Sequence, residues 1–202
     1  MNGVVVAGIG TEVGKTVVSA VLVEALDADY WKPVQSGGLE HTDTMAVEAL
    51  ASGPGRRFHP EAYRLTQPLS PHAAARFDGV TIDPAALALP ATERPLVVEL
   101  AGGLMVPLSE TLLNLDLLAD WRLPVVLVCS YYLGSINHTL LSVQALESRG
   151  VPLAGLVLNG AGPAESRAAK LGFSGARCLL ELPWPESVDA GFIRSHANRI
   201  SL

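Results

Sequence analysis

The run Gly8-Ile9-Gly10-Thr11-Glu12-Val13-Gly14-Lys15-Thr16 joins three glycines to a Lys-Thr pair, residue types that together hold a polyphosphate. A glycine-rich turn aims backbone N–H groups at an anion, and a helix starting behind it adds about half a positive charge. Lys15 has the reach for β- and γ-phosphates, and the Thr16 hydroxyl suits Mg²⁺. The usual spacing puts the first glycine at position 9. Ile9 stands there and Gly8 lies one residue further out, so the loop is lengthened by one. Other chemistry-bearing residues follow at intervals. Lys32-Pro33-Val34-Gln35-Ser36-Gly37-Gly38 offers an ammonium and a hydroxyl, and Asp43 after Thr42 is either a helix-capping acid or a Mg²⁺ ligand. Glu99 closes the apolar run Pro95-Leu96-Val97-Val98. A carboxylate there must face a cation or hydrogen-bond donors, as a metal ligand or in a structural salt bridge. Gly134 and Ser135 suit a helix start, which caps the helix and also exposes free N–H groups to an anion. The Asn159 amide, with Gly160 behind it, belongs to a simple turn or reads a nucleobase edge. Pro183-Trp184-Pro185 is a rigid aromatic shelf for a base or for the core.

The elements that must position these residues alternate. Apolar, β-branched runs at Val4–Ala7, Tyr30–Val34, Leu96–Leu100, Val125–Cys129, Ala154–Leu158 and Cys178–Leu182 read as strands covered on both faces. Helical patterns fall near Val17–Leu26, Asp43–Leu50, Thr111–Ala119, Ile136–Ser148 and Ala164–Leu171. Such alternation implies a doubly wound, mainly parallel sheet flanked by helices, with ligands at the carboxyl ends of its strands. The stretch from Ala51 to Gln67 reads as an irregular loop.

Composition narrows the function. The 202 residues suit one domain, spanning 1–202, with a substantial core. A net charge of −6 argues against a nucleic-acid-binding surface. Positive charge must therefore be concentrated locally, and two of only three lysines, Lys15 and Lys32, fall in the motifs above; Lys170 is the third. No apolar run is long enough for a membrane span, no signal peptide is visible, and Cys129 and Cys178 have no metal-type spacing. These features fit a reducing cytoplasm.

Taken in order, the lengthened loop, Lys32-Pro33-Val34-Gln35-Ser36-Gly37, Ser70-Pro71-His72, Glu99-Leu100-Ala101-Gly102-Gly103, Leu133-Gly134-Ser135-Ile136-Asn137-His138 and Leu182-Pro183-Trp184 resemble the dethiobiotin synthetase family from Val4 to about Pro185. That family usually has Asp where this chain has Gly10, Gly where it has Leu100, and often Asp where it has Gly160. The resemblance implies an α/β fold of the P-loop NTPase kind and an ATP-dependent ring closure of 7,8-diaminononanoate with CO₂. It implies that Lys32, Lys15, Thr11 and Glu12 serve catalysis and that Thr16, Asp43 and Glu99 hold Mg²⁺. ATP would meet Glu12, Val13, Gly14, Lys15, Thr16 and Val17 of the loop, Asp43, Glu99 and Gly102. Asn159, Gly160, Pro183, Trp184 and Pro185 would also contact it. The diamine would meet Ser36, Pro71, Gly134, Ser135, Ile136 and Asn137, the last four from the other subunit of a homodimer. Three rivals fit less well, the first being a phosphate-binding module without catalysis, which would not require Lys32 or Glu99. An amide synthase of the same scaffold would carry a fused glutaminase domain, for which 202 residues leave no room. A partitioning-ATPase switch would carry a further lysine early in the loop, and Gly8 to Val13 contains none.

Overall fold

The computed structural model describes residues 3–200. Its main sheet has seven strands in the order β4-β2-β6-β1-β7-β8-β9, every neighbouring pair parallel. The strands are β1 (Gly3–Gly8), β2 (Asp29–Trp31), β4 (Phe58–His59), β6 (Leu96–Gly103), β7 (Val125–Ser130), β8 (Leu153–Asn159) and β9 (Cys178–Leu182). Val5, Val6, Val97, Val98 and Val125 to Val128 have no solvent exposure, as strands sandwiched between helical layers require. From β1 the chain crosses towards β2 through α1 (Lys15–Leu26), whereas β7, β8 and β9 step the other way through α5 (Ser135–Ser148) and α6 (Ala164–Ser174). Right-handed crossovers running in opposite directions place these helices on opposite faces and leave a crevice at the carboxyl ends near β1. α1 buries Val18 to Val23 in succession because α2 (Asp43–Ala51) and α7 (Ala190–Ala197) flank it over the sheet.

Three of the expected elements differ in the structure. The expected strand Tyr30–Val34 is two strands: β2 ends at Trp31, and β3 (Val34–Ser36) pairs with β5 (Tyr63–Leu65) in a separate two-stranded sheet. Pro33 has no N–H to give a ladder, so the chain leaves β6 there. The stretch from Ala51 to Gln67 is not wholly irregular, since it contains β4 and β5. The helix expected over Thr111–Ala119 begins only at Asn114, as α4 (Asn114–Trp121), with Asp116 accepting from the Leu113 amide at its start. The small sheet and α3 (Pro71–Phe77) have their own apolar cluster, including Val34, Leu65, Ala74, Ile82, Leu87 and Leu108. This cluster carries Pro68 to Pro71 over the crevice.

Candidate active site

The phosphate loop is shaped by its glycines. Gly14 has φ 90°, and a Cβ there would come within 2.0 Å of the Asn159 amide nitrogen, so both conformation and space demand glycine. Asn159, at the end of β8, donates that same amide to the Val13 carbonyl at 2.8 Å and holds the loop from outside. The first α1 amide bonded inside the helix is that of Val18, to the Gly14 carbonyl, which leaves the amides before it at an open helix start. Lys15 folds back to the Gly10 carbonyl at 3.3 Å. Burial lowers its pKa below the ordinary 10.5, and Lys32 adds to this while Glu99 and Asp43 oppose it.

Thr16, Lys32, Asp43 and Glu99 come together although the sequence spreads them over more than eighty residues. The Thr16 hydroxyl lies 2.8 Å from Asp43 Oδ1 and 3.1 Å from Glu99 Oε1. The Lys32 ammonium bridges Asp43 Oδ2 at 2.7 Å and Glu99 Oε1 at 3.2 Å. The break at Pro33 explains this placement: Lys32 is the last residue before the chain turns out of the main sheet, and its side chain stays beneath the crevice. Burial works against the Lys32 charge, but Glu99 and Asp43 outweigh it and raise the pKa above 10.5. For Asp43 burial pushes upward, and the Lys32 ammonium prevails and holds the carboxyl below 3.8. Glu99 is 1 % exposed, and its other oxygen accepts from Ser19 at 2.8 Å and Tyr30 at 3.0 Å. Burial, reinforced by Glu99, holds the Tyr30 phenol well above 10.0, so it remains a donor. Ser19 and Tyr30 did not stand out in the sequence. The available signal was spacing, since Ser19 is three residues beyond Thr16 on a helix and Tyr30 two before Lys32 on a strand.

A cleft of about 910 Å³ opens above this cluster. Thr11, Glu12, Gly14, Lys15, Thr16 and Val17 line it from the loop, with Lys32, Ser36, Asp43 and Glu99 on its floor. Pro71 and Gly102 stand on one side, and Asn159, Pro183, Trp184 and Pro185 on the other. Val13 and Gly160 line a neighbouring hollow of about 350 Å³ that also meets Asn159 and Trp184. Gly134, Ser135, Ile136 and Asn137 line neither hollow. Lys170 is also apart from them: fully buried, it donates to the Ser130 carbonyl at 2.7 Å and lies 4.0 Å over the Tyr131 ring. That lysine fastens the end of β7.

Two features are shaped for a ligand. The Ser36 hydroxyl, on the cleft floor, is buried without a hydrogen-bond partner. Among the described residues no three His, Cys, Asp or Glu side chains gather into an all-protein metal cage. The two carboxylates and the Thr16 hydroxyl instead gather hard oxygens, the donor chemistry that suits Mg²⁺ when water and phosphate oxygens supply the other ligands.

A lengthened phosphate loop at the switch point of a parallel sheet, backed by a second lysine and two acids, defines a P-loop nucleotide-binding enzyme. In solved structures the fold is similar to a ParA family ATPase from Chlorobium tepidum (TM-score 0.62, 12 % identity, covering 99 % of this chain and 100 % of that one). It is also similar to the cell division ATPase MinD from Pyrococcus furiosus (TM-score 0.60, 14 % identity, 98 % of each chain). A family profile described as an AAA domain matches residues 2–191. The sequence is 53 % identical over 180 residues to the ATP-dependent dethiobiotin synthetase BioD of Rhodopseudomonas palustris (strain BisB5), covering 89 % of this chain and 85 % of the relative. The same enzyme of Afipia carboxidovorans is 50 % identical over 197 residues, covering 95 % and 94 %. The chain belongs to the dethiobiotin synthetase family of ATP-dependent enzymes.

Its departures from that family's pattern now have locations. Leu100 is 1 % exposed in the main core and does not line the cleft. Gly10 supplies the carbonyl that Lys15 meets, and a Cβ there would have only the Tyr132 hydroxyl nearby, at 3.9 Å. Gly160 has φ 92°, and a Cβ there would lie 3.2 Å from the Trp184 indole nitrogen, so a side chain would be strained and the tryptophan would have to yield by a few tenths of an ångström.

Proposed function

We propose that the protein forms dethiobiotin from 7,8-diaminononanoate, CO₂ and ATP, releasing ADP and phosphate. The observation that carries this reading is the second buried lysine: Lys32 reaches the phosphate-loop cluster from the same segment that sets the orphaned Ser36 hydroxyl on the cleft floor. Attack of one anion on another is eased by positive charge on both, and Lys32 adds to Lys15 a second ammonium that comes from outside the phosphate loop. One substrate amine takes up CO₂ as a carbamate and loses a proton. A carbamate oxygen attacks the γ-phosphorus of ATP, and ADP departs. The second amine then attacks the carbonyl carbon of the mixed anhydride and expels phosphate, closing the cyclic urea. Lys15 and Lys32 stabilise the charge shared by carbamate and phosphoryl oxygens, while Ser36 and Thr11 orient the carbamate and Glu12 the loop. Thr16, Asp43 and Glu99 would hold Mg²⁺, which when bound neutralises phosphate charge.

The distal carboxylate of the diamine is assigned to the start of α5 in a second copy, Gly134 to Asn137, in a homodimer. Supporting this, Gly134 enters the helix at φ 99° with no side-chain cap, and these four residues stay outside the cleft of their own chain. Trp184, Pro185 and Asn159 frame the base. A cytoplasmic setting fits the free thiols Cys129 and Cys178, and among the described residues no helix is long and apolar enough to cross a membrane. The test is whether phosphate release from ATP requires both 7,8-diaminononanoate and bicarbonate, with a cyclic urea as product. ATP hydrolysis indifferent to either one would refute the proposal.

A further inference from the structure

The four donors to Glu99 divide by direction. Oε1 meets Thr16 and Lys32, which line the cleft, whereas Oε2 is taken by Ser19 and Tyr30, which have no solvent exposure and do not line it. Two periodicities build this box. Tyr30 pairs across the ladder with Val97, two residues before Glu99, so its ring lies diagonal to the carboxylate. Ser19 follows Thr16 by three residues on α1 and so shares its face. A phenylalanine would fill the place of Tyr30 without burying a hydroxyl, and among the described residues that hydroxyl bonds to nothing except Glu99. We propose that Tyr30 and Ser19 are positioning residues of the site. They pin Oε2 so that Glu99 offers Oε1 alone to a divalent cation shared with Thr16 and Asp43.

This inference rests on the reading of Glu99 as a metal ligand, and its test reads metal binding without turnover. The 202-residue chain, with ADP present, is titrated with Mn²⁺ while free Mn²⁺ is followed by electron paramagnetic resonance. Tyr30→Phe should raise the Mn²⁺ dissociation constant about 10-fold, the lower end for residues that orient a ligand, and Ser19→Ala should raise it too. Thr92→Val removes a hydroxyl held by Asp29 at the opposite end of β2 and should leave the constant at its wild-type value. Wild-type Mn²⁺ binding by Tyr30→Phe overturns the proposal, as does an equal loss in Thr92→Val, which would mean a general loosening of the strand. If Tyr30→Phe does not fold, Ser19→Ala decides by the same criterion. A wild-type protein that binds Mn²⁺ and ADP but makes no cyclic urea refutes the proposed reaction and leaves the pinning intact.

Discussion

β1–α1 and β7–α5 are adjacent strand–loop–helix units, joined by a parallel ladder from Val5 and Val125 to Gly8 and Val128. Each helix is entered through a left-handed glycine, Gly14 at φ 90° and Gly134 at φ 99°, and neither has a side-chain cap. Each buries its first residue, Lys15 in one and Ser135 in the other. Yet only the first opens on the large cleft. The difference lies in what the neighbours bring. β6 delivers Glu99 against α1, and the break after β2 delivers Lys32, whereas the side-chain hydrogen bonds at the start of α5 are local: Thr139 donates to the Ser135 carbonyl at 2.7 Å, and Tyr132 bonds His138. A helix start supplies amides and a dipole. The further charges over the first unit, Lys32, Asp43 and Glu99, are brought by other elements of the chain.

The largest expected effect breaks the first unit alone. Lys32→Gln should lower turnover at least about 10²-fold, the scale of one lost electrostatic donor to a developing anion. Folding should persist, because Glu99 keeps three hydroxyl donors, from Thr16, Ser19 and Tyr30, and the glutamine amide still donates. Turnover measured at saturating diamine and ATP, beside a thermal melt, checks both halves. Near-normal turnover would leave Lys32 as a structural counter-charge only.

A smaller effect tests whether the second unit serves a neighbouring copy. Ser135→Glu should raise the apparent KM for 7,8-diaminononanoate and leave ATP binding nearly intact, because an acid at that helix start repels the substrate carboxylate. Mixing this variant with Lys15→Gln then distinguishes shared from separate sites. In a shared-site dimer one site collects both lesions and the other neither, so two impaired proteins regain activity together. Verified subunit exchange without recovery would confine each site to one chain.

The contrast between the units also shows what a sequence can reveal. The phosphate loop, the strand before it and the acid closing Leu96–Leu100 were legible because each is local: an apolar run, a glycine spacing, a carboxylate at a strand end. The partners of Glu99 were not. Ser19 and Tyr30 stand 80 and 69 residues from it, and nothing near either announces a carboxylate. β4 and β5, of two and three residues, are too short to show alternation. α3 and α7 did leave signals: Pro71 behind Ser70 is a helix-start pair, and Asp189 caps α7 by accepting from the Phe192 amide at 2.7 Å. Their shortness kept the hydrophobic period from standing out.

The smallest effect sharpens the comparison through pH. Asp43 has a folded pKa below its ordinary 3.8, chiefly because the Lys32 ammonium overcomes burial. The native state therefore holds fewer protons than the unfolded chain between those two values, and acid favours unfolding there. The stability due to the Asp43 charge is complete above 3.8 and is lost as pH falls through the folded value. Lys32, whose pKa is raised by Glu99 and Asp43, keeps its own proton in acid, so from its side the pair is lost only as pH rises above 10.5. Denaturant midpoints of wild type and Asp43→Asn should accordingly differ most near neutrality and converge as pH falls below 3.8. The second unit supplies the control, since α5 has no acid in its first turn. Ser135→Ala should shift the midpoint by the same amount throughout that range. A gap between wild type and Asp43→Asn that stays constant in acid would mean that Asp43 supports the fold by its hydrogen bond to Thr16, not by its charge against Lys32.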